Sequence, residues 1–262
     1  MHSLQISPLF PPGGLAPEAT DAGFRSGDRG THTSRTMMLA ELRLLLDFVP
    51  PPSPMEDYAA AVIDSNCLSK RTASTRRLTY QRLRELYALD RWTPVFRVLR
   101  RLWAVDEHGR PLLALLAAMA RDPLLAATYP AILGQPVGAE FQRVPVANAL
   151  RDAVGQRLND SILAKVVRNV SSTWTQSGHL SGRTLKNRTG VKATPATAAY
   201  AVFLASSAGF HGAEILSSGW FQVLDCPAHV ARHLTLEAKR LGLLDVRMAG
   251  DVVEFNLARL ER

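Results

Sequence analysis

A chain of 262 residues with 47% apolar side chains has the length for two domains and the composition for a packed core. Its longest apolar run, Leu112 to Ala120, ends at Arg121, well short of the ~20 residues a membrane-spanning helix needs, and the amino terminus lacks the basic-then-apolar layout of a secretory signal. The two cysteines, Cys67 and Cys226, exclude a disulfide framework and allow one bridge at most. They fit a soluble protein of the reducing cytoplasm. With 31 basic and 23 acidic residues, a net charge of +8 and a pI near 10.0, the expected partner is a polyanion and not a membrane.

Residues 1–35 are rich in Pro, Gly, Ser and Thr without a sustained apolar period, which predicts a disordered leader. Met37 and Met38 stand just before the first amphipathic segment, where a natural start would fall. Leu39, Leu42, Leu45 and Leu46 recur at helical spacing and stop before Pro50. A second helix is expected from about Ser53, with Pro54 at its first position. A third, capped by Thr72 or Ser74, runs to about Leu89. Trp92 to Val105, Leu112 to Ala120 and Leu124 to Ile132 follow as helices, and residues 36–139 read as a helical amino-terminal domain. Pro130, Gly134, Pro136 and Gly138 mark its expected boundary.

Residues 140–262 read as a winged-helix-like domain. Helices are expected near Val146 to Val154, from Asp160 to Ser177, from Pro195 to Ala208, near Ala213 to Ser218 and from Pro227 to Leu241. Two β-rich runs around Ala249-Gly250-Asp251 predict a closing hairpin. A recognition-type helix followed by a wing would present His229, Arg232, His233 and Lys239, with Arg247 on the wing. Ser177-Gly178 closes the Asp160 helix in a similar way, and a short wing would then carry Arg183, Lys186 and Arg188. Two tandem units, 140–192 and 193–262, are the resulting expectation. The fold class is all-α, mainly helical, with small β-hairpin wings.

Positive charge is concentrated. Residues 68–101 hold ten basic against two acidic side chains and residues 157–192 hold seven against one, while the rest of the chain sums to −6. Such clustering is the footprint of a nucleic-acid binder. If the third helix extends back to Lys70, then Lys70, Ser74, Arg77, Gln81 and Arg84 share one side, with Arg76 beside them. Arg97, Arg100 and Arg101 form a second outward cluster on the next helix, and such arginines engage phosphates bidentately. On the Asp160 helix the polar side shows Ser161, Lys165, Arg168, Asn169, Ser172 and Gln176, suited to phosphates or base edges.

Catalytic motifs are missing from the sequence. It has no Walker-type phosphate loop, no G-x-G-x-x-G after a strand and no G-x-S-x-G elbow. Cys226-x2-His229-x3-His233 has partial zinc spacing but no second Cys/His pair to complete four ligands. No enzyme, cofactor or metal is therefore expected.

Asp64-Ser-Asn66-Cys67-Leu68-Ser-Lys70 with Ser74-Thr-Arg76-Arg77, then Ser161-Ile-Leu-Ala-Lys165-Val-Val-Arg168-Asn169, and Ser177-Gly178-His179-Leu180 resemble elements of the BrxA family of bacteriophage-exclusion (BREX) systems. The ending is similar too, with Gly209-Phe-His-Gly212 and Ile215-Leu-Ser-Ser-Gly-Trp220. The resemblance covers residues 36–262 in order, through loose motifs. It implies a non-enzymatic, helical, DNA-binding component of an anti-phage defence system, with a DNA methyltransferase and large ATPases as candidate partners. Double-stranded DNA binding through phosphates is the expectation; an assembly scaffold and an RNA-binding helical protein are the alternatives.

Overall fold

The computed structural model describes residues 6–250 and 252–261. Its helices are α1 (Pro17–Ala22), α2 (Leu39–Phe48), α3 (Met55–Ile63), α4 (Ala73–Tyr87), α5 (Pro94–Val105), α6 (Arg110–Arg121) and α7 (Pro123–Leu133), then α8 (Arg143–Val154), α9 (Asp160–Gln176), α10 (Pro195–Ala208), α11 (Glu214–Ser217), α12 (Gly219–Gln222), α13 (Ala228–Arg240) and α14 (Ala258–Glu261). Strands β1 (Leu180–Ser181) and β2 (Asn187–Arg188) pair antiparallel, with Leu180 opposite Arg188. Strands β3 (Asp245–Ala249) and β4 (Val252–Asn256) form a second antiparallel pair, with Val246 opposite Phe255. The protein is thus mainly helical with two small strand pairs. Among the described residues no helix is long and apolar enough to cross a membrane, and Cys67 and Cys226 are free thiols.

Local chemistry sets the helix starts. Thr72 Oγ1 accepts Thr75 N–H at 3.1 Å to open α4, and Asn159 Oδ1 accepts Ile162 N–H at 2.9 Å to open α9. Thr194 and Thr197 cap α10 reciprocally, with Pro195 in its first turn. Each cap is worth about 1 kcal/mol. Because α4 begins at Ala73, Lys70 lies in the preceding turn and outside the helical stripe. In that turn Asn66 and Ser69 take positive φ, and Asn66 Oδ1 accepts Lys70 N–H at 2.8 Å.

The centre of the molecule is α10, which is buried along almost its whole circumference. Its alanines let α5, α6 and α13 approach closely, and Tyr200 Oη donates to Val95 O at 2.9 Å. The apolar run of α6 is buried from Leu112 to Ala120. One continuous core therefore spans both sides of residue 140, and the expected boundary at 139 is no break in it. The Pro/Gly cluster near residues 130–138 only turns α7 into α8, which lie against each other.

The leader, expected to be disordered, is folded over its described part. Leu9, Ala19, Ala22, Phe24 and His32 are buried. Trp220 Nε1 donates to Leu9 O at 2.8 Å and Gly219 N–H to Pro8 O at 2.9 Å, while Phe10, Phe24 and Trp220 meet edge to face. Its apolar residues show no period because they fill separate sites on other elements instead of one helix face. At the far end His32 Nδ1 lies 2.8 Å from Asp122 Oδ2 and Nε2 2.7 Å from Thr173 Oγ1.

A second buried histidine joins β1 to the end of α12. His179 Nε2 donates to Val223 O at 2.6 Å, which leaves Nδ1 to accept from Ser177 Oγ at 2.8 Å. Burial pulls its pKa down from 6.5 to about 4. Between those values the unfolded chain binds a proton that the folded chain rejects, so stability falls as pH drops through this window. We expect the unfolding free energy from urea titrations to fall from pH 6.5 to 4, by about 3 kcal/mol for this group, and a His179→Gln variant to lose most of that dependence.

Candidate nucleic-acid interface

The exposed side of α4 keeps Ser74, Arg77, Gln81 and Arg84 on the surface, while Leu83, Leu86 and Tyr87 face the core. Its neighbours are committed to the fold: Lys70 Nζ pairs with Glu41 at 3.0 Å, and Arg76 Nη1 donates to Ile63 O at 2.7 Å. On α5, Arg97 is half-buried and Arg101 lines a cleft with Asp245, Asn256 and Arg259. Arg100 is buried and donates through Nη2 to Leu46 O at 2.7 Å and Val49 O at 2.6 Å, tying down the end of α2. It corrects the expectation of an outward cluster. Phe96 and Trp103, four before it and three after it, are buried on the same face.

Along α9 the exposed cations are Lys165 and Arg168, with Ser161 beside them. Asn169 instead donates to His32 O at 2.8 Å, and Gln176 Oε1 accepts Leu39 N–H at 3.0 Å, so both hold the leader and α2 in place. Ser172 is half-buried. In the β1–β2 segment Arg183 is exposed, and Lys186 Nζ donates to Thr175 Oγ1 at 2.7 Å. Arg188 is buried: it pairs with Asp225 and donates to the carbonyls of His179 and Thr189. Its strand register turns it inward, beneath the expected wing, so Arg188 lies inside the fold and not on a contact surface.

The carboxy-terminal surface is charge-balanced. On α13, His229, Arg232 and His233 are exposed, and Lys239 Nζ donates to Val246 O at 2.9 Å. Arg247 on β3 lies 3.9 Å from Glu254 on β4, and Arg259 pairs with Asp245 at 2.7 Å. Cys226 is buried, with its thiol pKa pushed up to about 11 by burial and by Asp225. Among the described residues no three His, Cys, Asp or Glu side chains gather as a metal site.

A different surface brings the two basic segments together. Arg82 of α4 and Arg157, just before α9, line one cleft of about 320 Å³ with Arg25, Arg29 and Glu85. It adjoins a second, of about 400 Å³, lined by Arg25, Arg84, Arg121, Tyr80, Gln81 and Glu85. Within this trough Arg82 pairs with Glu85 at 2.7 Å and Arg157 with Asp28 at 2.6 Å. Arg25, Arg29, Arg84 and Arg121 have no carboxylate at ion-pair distance among the described residues. Sequence reasoning missed Arg25 and Arg29 by treating the leader as disordered. It also passed over Arg82, Arg121 and Arg157 as individual site residues, although Arg82 and Arg157 lie in the basic segments.

These features define a mainly helical protein with two small strand pairs and an arginine-lined trough between leader, α4, α6 and the α8–α9 joint. Comparison with protein-family models, curated proteins and solved structures finds no match in any of the three.

Buried and exposed arginines should separate cleanly in stability. Arg188→Ala leaves Asp225 without its partner and should cost about 3–5 kcal/mol, and Arg100→Ala should also destabilise by uncapping α2. Lys165→Ala and Arg168→Ala should stay within about 0.5 kcal/mol of the parent in urea unfolding.

Proposed function

We propose that this chain is a non-enzymatic double-stranded DNA-binding protein that grips its ligand mainly through phosphates. The observation that carries this reading is the meeting of Arg82 and Arg157, one from each basic segment, in a single cleft with Arg25 and Arg29. Arg77, Arg84, Lys165 and Arg168 extend the exposed positive surface along α4 and α9. Arginine suits the task because its planar fork engages phosphate oxygens bidentately.

In this reading α13 and the β3–β4 hairpin act as recognition helix and wing, and α9 with β1–β2 as an earlier, more compact unit. Arg25, Arg29 and Arg84, which have no carboxylate at ion-pair distance among the described residues, make the trough the main contact, and exposed Arg247, 3.9 Å from Glu254, adds to it from the hairpin. The resemblance to the BrxA family supplies the setting: a component of a phage-exclusion system working beside a DNA methyltransferase and ATPases. Several of the residues that carry that resemblance hold the fold. Leu68, His179, Phe210 and Trp220 are buried, and Gly209 and Gly212 take positive φ at turns.

A scaffold role is favoured by one feature, the exposed Leu44 and Phe48 at i,i+4 on α2. The two readings part on salt. Anisotropy with a random-sequence duplex should show affinity falling steeply as salt rises, beside weaker binding to a matched RNA. Lys165→Ala with Arg168→Ala should lower the log–log salt slope by about 1–2, because each lost phosphate contact removes about 0.9. Absence of binding at low salt would reject the proposal, and a protein complex that persists at high salt would favour the scaffold.

A further inference from the structure

One end of the trough gathers guanidinium groups with no carboxylate at ion-pair distance among the described residues. Arg25, Arg84 and Arg121 line the cleft of about 400 Å³ between the leader, α4 and the end of α6. Backbone carbonyls hold two of them. Arg121 donates through Nε to Glu85 O at 3.1 Å and through Nη1 to Gly23 O, and Arg25 Nη1 reaches the same Glu85 carbonyl at 3.5 Å. Among the described residues the Arg84 guanidinium has no hydrogen-bond partner, and Arg121 leaves Nη2 without one.

Glu85 is the acidic side chain in this lining, and its carboxylate is already occupied. It accepts Thr31 Oγ1 at 3.0 Å, Arg82 Nη1 at 2.7 Å and Gln81 Nε2 at 3.1 Å. These donors outweigh burial and hold its pKa below the ordinary carboxylate value. Arg121 stands in the opposite condition: burial first, then the neighbouring Arg25 and Arg84, pull its pKa down to about 10. Cations fixed this close repel one another, and an anion relieves that repulsion.

We propose that the Arg25–Arg84–Arg121 cleft is a binding site for a phosphomonoester. A monoester offers three terminal oxygens and close to two negative charges, which suits three guanidinium groups lining one cleft. An internal phosphodiester offers two free oxygens and one charge, and so answers fewer of the three cations. A phosphate with its attached sugar fits the volume. The same chemistry is presented by the 5′-phosphate of a DNA end and by a free 5′-mononucleotide. The cleft belongs to the trough proposed to grip duplex DNA, but its affinity for free phosphate is read without any duplex present.

Inorganic phosphate, titrated at constant ionic strength, should raise the melting temperature saturably where chloride does not. Arg25→Gln and Arg84→Gln, both at exposed positions, should each weaken phosphate binding about tenfold or more, the scale of one lost charge-assisted hydrogen bond. Arg121→Lys, which keeps the charge but not the fork, should weaken it as well. Duplexes with 5′-phosphate or 5′-hydroxyl ends and 5′-dAMP then identify the source. Preference for phosphorylated ends that disappears in the glutamine variants assigns DNA ends, whereas saturation by 5′-dAMP without end preference assigns a free nucleotide. No phosphate-dependent shift, or one that survives in both glutamine variants, overturns the proposal. Affinity for the 5′-hydroxyl duplex reads general DNA binding by itself, so either proposal can fail alone.

Discussion

The carboxylate of Asp122, buried at the joint between α6 and α7, accepts four hydrogen bonds: His32 N–H at 3.0 Å, His32 Nδ1 at 2.8 Å, Leu124 N–H at 3.0 Å and Leu125 N–H at 3.2 Å. Burial alone would raise its pKa, but the His32 ring and these donors outweigh that and hold it below the ordinary value. Through Thr173 Oγ1 the network continues to Met37 N–H at 2.9 Å. One ionised group thus fixes the start of α7, the leader and α9 relative to each other. Asp122 comes within van der Waals reach of Gly30, where an added Cβ would lie 2.1 Å from Oδ1. An unpartnered polar group at this depth is costly, so removing any one member of the network exposes the rest to that cost.

The trough is a consequence of this junction. Arg25 and Arg29 belong to the leader, Arg82 and Arg84 to α4, and Arg121 immediately precedes Asp122. Thr31, beside His32, donates to the Glu85 carboxylate. The same short turn that delivers His32 to Asp122 therefore also occupies the acid that would otherwise neutralise nearby arginines. Positive charge remains here because Glu85 and Asp28 are already paired with Arg82 and Arg157 and leave the other arginines unmatched.

Helices were legible where a periodic apolar face met a clear cap or proline: Thr72 for α4, Asp160 through Trp174 for α9, Thr194-Pro195 for α10. The hairpin near Gly250 and the short strand pair after Ser177 were legible from turn chemistry. The leader was not, because Leu9 and Phe24 find their partners across the molecule at Trp220 and no local pattern encodes that. Arg100 carried a readable sign in the aromatic residues flanking it at helical spacing. Arg188 carried none, since its partner Asp225 is distant in sequence. Exposed Arg168 and buried Arg188 are the same residue type in the same basic segment, and only tertiary packing tells them apart.

Pinning a segment at two points removes its freedom before any ligand arrives. Arg25 and Arg29 lie between the Leu9–Trp220 anchor and the His32–Asp122 anchor, so the entropy of ordering that stretch is lost on folding and not on association. The strap behaves as a fixed template, not as a clasp that closes. An anion bound as proposed would need only to settle side-chain rotamers, and its capture rate would be governed by long-range attraction to the guanidinium groups instead of by a conformational step.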